Sequence, residues 1–153
     1  MSNIQVTDSK VSTMLTSYET DDYMSVNPVC FTPDTNIYEA IHVLLQRKVS
    51  GGTVLNENNE VVGVISELDC LRAIINAGFY NEGGGYVGDF MTKGPIEYLD
   101  RHTSLIDAAQ IILEKKHRRM PIVENGKFVG QISARSLLQV FKDSMSNHDK
   151  SED

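Results

Sequence analysis

The sequence predicts an α+β fold made of two β-α-β-β-α repeats related by a pseudo-twofold axis, and three observations predict it. Asp22-Tyr23-Met24-Ser25 returns 67 residues later as Asp89-Phe90-Met91-Thr92, and Pro28-Val29 returns at the same offset as Pro95-Ile96. Ile37-Tyr38-Glu39-Ala40 matches Leu105-Ile106-Asp107-Ala108 at an offset of 68. Val62-Gly63-Val64-Ile65-Ser66 matches Val129-Gly130-Gln131-Ile132-Ser133 at 67 again. A duplication of this kind predicts two similar halves facing each other, with related clefts between them. Positions where the two copies disagree then carry the functional information.

The elements follow in order. Residues 1 to about 8 are polar and are expected to be mobile. Val11, Met14, Leu15 and Tyr18 fall at i, i+3, i+4 and i+7, an apolar helical stripe over Lys10–Asp22 that either caps the core or makes a dimer contact. In the first repeat Val29–Phe31 reads as a strand, and Thr32-Pro33-Asp34-Thr35 as a turn ending in helix-capping residues. Ile37, Ala40, Ile41, Leu44 and Leu45 mark an amphipathic helix to about Lys48, after which Gly51-Gly52 is expected to end the segment. Thr53–Leu55 and Val61–Ile65 read as strands joined by a polar loop, followed by a helix from Glu67 to about Asn76 that stops at Gly78. In the second repeat Ile96–Leu99 is the first expected strand. Leu105, Ala108, Ile111, Ile112 and Leu113 line the helix. Pro121–Val123 and Phe128–Ile132 flank the turn pair Asn125-Gly126, and a last helix runs from Ala134 to Lys142. The organisation is a tail with a short helix over 1–19, a first repeat over 20–77, a glycine-rich linker over 78–88, a second repeat over 89–142 and a disordered tail over 143–153.

That linker contains Gly83-x-Gly85-x-x-Gly88, which matches a dinucleotide-binding pattern. The pattern needs a strand before it and a helix opening within it. Here a helix precedes it and a new repeat follows, so it reads as linker. No Lys-Ser or Lys-Thr follows the glycines, so it is not a nucleoside-triphosphatase phosphate loop either.

Composition bounds the function. At 153 residues the chain is one compact domain in two halves, large enough to fold without disulfide or metal. No apolar run reaches the roughly 18 residues of a membrane span. Met1-Ser2-Asn3-Ile4-Gln5 lacks the features of a signal peptide, so the cytoplasm is the expected location. Cys30 and Cys70 have no CxxC spacing and are expected to be reduced and mostly buried. His42, His102, His117 and His148 are scattered and suggest no metal site. The formal charge of −7 disfavours nucleic acid and anionic membrane surfaces. Lys115-Lys116-His117-Arg118-Arg119 is the local exception, and concentrated positive charge in an acidic chain suits a specific anion.

Gly63-Val64-Ile65-Ser66-Glu67-Leu68-Asp69 ends a strand and opens a helix at Ser66. Two readings share this geometry. Ser66 and Asp69 can simply cap the helix, satisfying orphan donors and complementing its dipole. The same helix start also favours a phosphate, and a first-turn carboxylate can accept hydrogen bonds from a ribose diol. The second copy reads Gly130-Gln131-Ile132-Ser133-Ala134-Arg135-Ser136, so Ser136 replaces the carboxylate. Conversely, His117-Arg118-Arg119 stands where the first copy has Val49-Ser50-Gly51. Lys115 and Lys116 can serve as solvated cations at a helix end, whereas His117, Arg118 and Arg119 sit at a helix-to-strand turn that can wrap an anion. One copy supplies the carboxylate and the other the cations.

These residues resemble the cystathionine β-synthase (CBS) domain family, as a tandem pair known as a Bateman module, over about residues 20–142. The resemblance rests on Asp22-x-Met24 and Asp89-x-Met91, on Ser50-Gly51-x-Thr53-Val54 and Arg119-Met120-Pro121-Ile122-Val123, and on the two Gly-to-Ser third strands. It implies sheets packed face to face with helices outside, and two clefts that take adenosine ligands. It implies Asp69 as the ribose carboxylate and Ser66 as its hydroxyl partner, with Gly63 and Ile65 on the strand before them. Gly94, Pro95 and Ile96 are implied around the base, His117, Arg118 and Arg119 near the phosphate, and Met120 and Pro121 as apolar wall. A second, weaker cleft would use Ser133 and Ser136 with Val29, Cys30, Ser50, Gly51, Gly52 and Thr53.

The expectation is therefore a non-enzymatic regulatory module that binds AMP, ADP or ATP, dimerises into a disc of four repeats and signals to a separate effector protein. A ligand-free dimerisation scaffold and a sensor of S-adenosylmethionine or NAD are the alternatives. No paired base and nucleophile and no cofactor lysine motif point to catalysis.

Overall fold

In a computed structural model, the structure describes residues 18–25, 27–80 and 85–151. Its elements are α1 (Thr20–Tyr23), β1 (Cys30–Phe31), α2 (Ile37–Arg47), β2 (Gly51–Leu55), β3 (Val61–Ser66), α3 (Glu67–Tyr80), α4 (Val87–Phe90), β4 (Thr92–Lys93), β5 (Leu99–Asp100), α5 (Leu105–Lys115), β6 (Arg119–Glu124), β7 (Lys127–Ser133) and α6 (Ala134–Ser151). The order β-α-β-β-α occurs twice, as the repeat predicts. The expected stripe from Val11 to Leu15 lies outside the described residues.

Each element has a local cause. Asn36 Oδ1 accepts from the Tyr38 N–H at 2.8 Å to start α2, and Ser104 Oγ accepts from the Asp107 N–H at 3.2 Å to start α5. Both helices end on a lysine in the left-handed region, Lys48 (φ 56°) and Lys116 (φ 57°). Their buried stripes also correspond: Ile37, Ala40 and Leu44 against Leu105, Ala108 and Ile112. The aspartates of the Asp-x-Met motifs cap their own short helices. Glu19 N–H donates to Asp22 Oδ2, and Tyr86 N–H to Asp89 Oδ2, both at 2.9 Å.

One sheet has the order β1-β2-β3-β4 and the other β5-β6-β7. In the first, β1 runs parallel to β2 (Cys30 opposite Thr53), β2 antiparallel to β3 (Gly51 opposite Ser66), and β3 antiparallel to β4 (Val64 opposite Thr92). In the second, β5 runs parallel to β6, with Leu99 opposite Ile122. The turn between β6 and β7 places Asn125 at φ 53° and Gly126 at φ 78°, which suits a two-residue hairpin.

The chain divides into two units that differ from the sequence repeats. Unit 1 holds the described residues up to 25 together with Tyr98–Glu124 and those from Val129 onward; unit 2 holds those of Asn27–Glu97 and Asn125–Phe128. Each repeat thus lends its leading segment to the other copy's strands and helices. Ser25 pairs with Gln131 on β7, as Thr92 pairs with Val64 on β3. Leu105 N–H donates to Tyr18 O at 3.0 Å, and Ile37 N–H to Gly85 O at 2.9 Å. Two glycines make this fit possible. A Cβ on Gly63 would lie 2.7 Å from Met91 Sδ and 2.9 Å from Thr92 O; one on Gly130 would lie 2.9 Å from Met24 Sδ and 2.6 Å from Ser25 O. The methionine of each Asp-x-Met motif therefore packs on the glycine of the other repeat's third strand.

The core of unit 2 gathers Val29, Phe31, Ile37, Leu44, Val54 and Ile65, and that of unit 1 gathers Leu99, Leu105, Met120, Ile122, Ile132 and Val140. Among the described residues no helix is long and apolar enough to cross a membrane.

Four expectations need correction. Gly51 and Gly52 do not end a segment but open β2, where both are buried and a Cβ on Gly51 would sit 2.6 Å from Ile65 O. The second helix passes Gly78 and runs to Tyr80, since one interior glycine costs a helix only about 1 kcal/mol. Residues 78–80 of the expected linker thus belong to α3, while 81–84 lie outside the described residues. The second repeat's first strand is Leu99–Asp100, not Ile96–Leu99: Glu97 and Tyr98 are exposed, and the ladder to β6 begins only where Leu99 is buried. The last helix continues past Lys142 to Ser151, where no Gly or Pro interrupts it, so the expected tail from 143 is helical.

Gly63→Ala and Gly130→Ala should each lower stability by about 1–3 kcal/mol through overpacking against backbone oxygens. Gly94→Ala, whose added Cβ meets nothing within 4 Å, should change little. Urea unfolding midpoints check this.

Candidate functional site

Both repeats bring a strand end, a helix start and a helix-to-strand turn to one point. In unit 2, β3 ends at Ser66 and α3 begins at Glu67. Ser66 N–H donates to Asp69 Oδ2 at 2.8 Å, Ser66 Oγ donates to the same oxygen at 3.0 Å, and Asp69 N–H returns a bond to Ser66 Oγ at 3.2 Å. Asp69 is 2% exposed. Its other oxygen, Oδ1, is ion-paired with Arg72 Nη2 one turn along. The capping geometry is thus fully formed, and the carboxylate sits at the helix start where the dipole favours it. Glu67 N–H donates to Ser50 O at 2.9 Å, which ties the turn before β2 to the same junction.

Unit 1 repeats the arrangement with different chemistry. Ser133 N–H donates to Ser136 Oγ at 2.8 Å, and Ser136 N–H donates to Ser133 Oγ at 3.0 Å. Ser136 Oγ donates onward to Ser133 O at 2.8 Å. The cap survives without a charge. Ala134 N–H donates to Arg118 O at 3.1 Å, as Glu67 does to Ser50. The basic turn accordingly meets the neutral serine pair within unit 1, and the uncharged turn meets the carboxylate within unit 2. His117 and Arg118 are exposed, Arg119 is half-buried at the start of β6, and Met120 and Pro121 behind it are buried.

The expected residues fall on both units. Gly63, Ile65, Ser66, Asp69, Gly94, Pro95 and Ile96 belong to unit 2, and His117 to Pro121 belong to unit 1. The β3–β4 register, with Gly63 opposite Lys93, carries Gly94 off the ladder at the end opposite Ser66. Of the second set, Ser133 and Ser136 lie in unit 1, and Val29, Cys30 and Ser50 to Thr53 in unit 2. There Thr53 N–H donates to Val29 O at 3.2 Å, and Cys30 faces Thr53 across the parallel pair. Cys30 and Cys70 are free thiols; burial pushes both up, and Asp69 and Glu67 raise Cys70 further. Among the described residues no cluster of His, Cys, Asp and Glu is placed to hold a metal ion.

Sequence reasoning missed Arg72 and its counterpart Gln139. The signal was the i, i+3 spacing from Asp69 and from Ser136. Arg72 lines an open groove of about 440 Å³ with Ile75, Asn76, Asp89 and Phe90. Gln139 lines one of about 430 Å³ with Tyr23, Ser133, Ser136 and Asp143.

A sequence model of the CBS domain matches residues 21–76 and again 87–143. The chain is 31% identical over 155 residues to the CBS domain-containing protein CBSX2, chloroplastic, of Arabidopsis thaliana, covering 80% of this chain and 65% of that protein. It is 31% identical over 138 residues to CBSX1, chloroplastic, of the same plant, covering 71% and 58%. It thus spans about three-fifths of the length of these curated relatives. A crystal structure of CBSX2 in complex with AMP superposes with a TM-score of 0.71 at 32% identity, covering 82% of this chain and 97% of that one.

Ser136→Ala should destabilise the protein by about 0.5–2 kcal/mol, because it leaves the Ser133 N–H without its acceptor. Ser136→Asp, which restores the first copy's pairing, should not. Thermal unfolding of the two variants checks this.

Proposed function

Since this chain belongs to the CBS domain family and carries two copies in tandem, we propose that it is a regulatory module that binds one adenine nucleotide, AMP, ADP or ATP, through Asp69. The observation that carries the proposal is the buried carboxylate at the start of α3, present in one copy and replaced by Ser136 in the other. The likeness to CBSX2, crystallised with AMP, supports an adenosine ligand. In this proposal Asp69 and Ser66 hold the ribose, with Gly63 and Ile65 beneath them. Gly94, Pro95 and Ile96 border the base, His117, Arg118 and Arg119 meet the phosphate, and Met120 and Pro121 form an apolar wall. Three consecutive cationic or titratable side chains favour a phosphate over the sulfonium of S-adenosylmethionine. The second cleft, which would use Ser133 and Ser136 with Val29, Cys30 and Ser50 to Thr53, lacks the charged diol acceptor and binds weakly.

We assign signalling rather than catalysis to the module. Ligand binding alters its contacts with a separate effector by favouring one of two states, which requires different affinities for the two. Homodimerisation fits the exposed apolar side chains of α3: Leu68 (65% exposed), Leu71 (53%), Ile74 (48%) and Ile75 (55%). A ligand-free dimerisation module is the second reading. Its favouring observation is that both Asp69 oxygens already have partners within the chain.

AMP at a hundredfold excess over its dissociation constant should stabilise the fold by about 2.7 kcal/mol. Asp69→Ala should remove most of that shift in a thermal-shift assay. Equal binding by wild type and Asp69→Ala would show the ribose assignment to be wrong, and no shift with any adenosine ligand favours the scaffold.

A further inference from the structure

We infer that Arg72 is a displaceable counter-ion whose departure frees Asp69 to accept both hydroxyls of a ribose; this rests on Asp69 being the ribose anchor. A carboxylate offers about four acceptor positions. In the structure the Ser66 N–H and hydroxyl occupy two of them on Oδ2, and Arg72 occupies one on Oδ1. One position remains, whereas a ribose diol presents two donors. Two-point recognition therefore requires one of the present partners to leave.

The three are not equally free to do so. The Ser66 N–H is fixed in the backbone at the strand–helix junction. The Ser66 hydroxyl oxygen also accepts from the Asp69 N–H, which holds that side chain beside Oδ2. Arg72 has no such tie. Its side chain is 65% exposed while Asp69 is 2% exposed, so the guanidinium rehydrates when it swings away. The groove it already lines carries Asp89 on its wall, which can receive the released charge.

The internal repeat supports the pairing independently. Asp69 and Arg72 align at an offset of 67 with Ser136 and Gln139, so carboxylate and counter-ion change together. Gln139, with no carboxylate to serve, donates instead to Asp143 Oδ1 at 2.9 Å. Arg72 is thus a specificity-determining residue for diol-bearing ligands: its cost falls on ligands that use both hydroxyls and spares those that use one.

The test is a calorimetric titration of AMP and 2′-deoxy-AMP into wild type, Arg72→Ala, Asp69→Ala and the double variant. Comparing the two ligands cancels the loss of one positive charge, which acts on both phosphates alike. Arg72→Ala should raise the preference for AMP over 2′-deoxy-AMP by about threefold to fivefold, the scale of an ion pair whose cation is solvent-exposed. Asp69→Ala and the double variant should both lose AMP binding. An unchanged or reduced preference in Arg72→Ala, with binding still lost in Asp69→Ala, overturns the role of Arg72 and leaves the ribose anchor standing. AMP binding that survives Asp69→Ala overturns both.

Discussion

A strand that runs directly into a helix leaves the first N–H groups of that helix without partners inside the helix, and at a part-buried junction side chains rather than water alone must satisfy them. The reciprocal hydrogen bonds between Ser66 and Asp69, and between Ser133 and Ser136, meet this constraint in both repeats. The turn of the preceding hairpin strand is drawn in as well, through Ser50 O and Arg118 O. Strand end, helix start and turn therefore converge because each helps satisfy the same few donors. The convergence serves the folding of each unit.

The second constraint is close approach. β3 and β7 accept a pairing segment from the other repeat only where Gly63 and Gly130 leave room for a methionine and a backbone carbonyl. The Asp-x-Met motif then does two jobs at once. Its aspartate caps a four-residue helix and its methionine fills the space above the glycine. Exchange of these segments between repeats makes each unit depend on both halves of the duplication.

Much of this was legible in the sequence, for identifiable reasons. The helices over Ile37–Arg47 and Leu105–Lys115 announce themselves by apolar spacing and by capping residues at both ends. Asn125-Gly126 names its own turn. Ser66 and Asp69 were legible as a cap, and the formed hydrogen bonds bear that reading out. Gly51-Gly52 misleads because a glycine that breaks a segment and a glycine that lets two strands approach are the same letter. Gly78 misleads similarly, since a glycine stops a helix only when the chain turns there. The exchange of leading segments is invisible because sequence order does not say which copy a segment pairs with. Arg72 escapes notice because an aspartate and an arginine three apart on a helix are common, and only burial of one partner makes the pair matter.

The differences between copies separate chemistry from architecture. Ser136 for Asp69 and Gln139 for Arg72 leave the cap and the helix intact while removing a charge and its counter-ion. The basic turn at His117-Arg118-Arg119, absent at Val49-Ser50-Gly51, likewise leaves the backbone bond to the helix start unchanged. In the proposed function this asymmetry decides which copy binds, and counting the ligand tests that most directly. Calorimetric titration with AMP should give one tight site per chain, with any second site at least about tenfold weaker, the equivalent of losing one charge-assisted hydrogen bond. Two equivalent sites per chain, or tight binding confined to the copy that carries Ser136, would contradict the account.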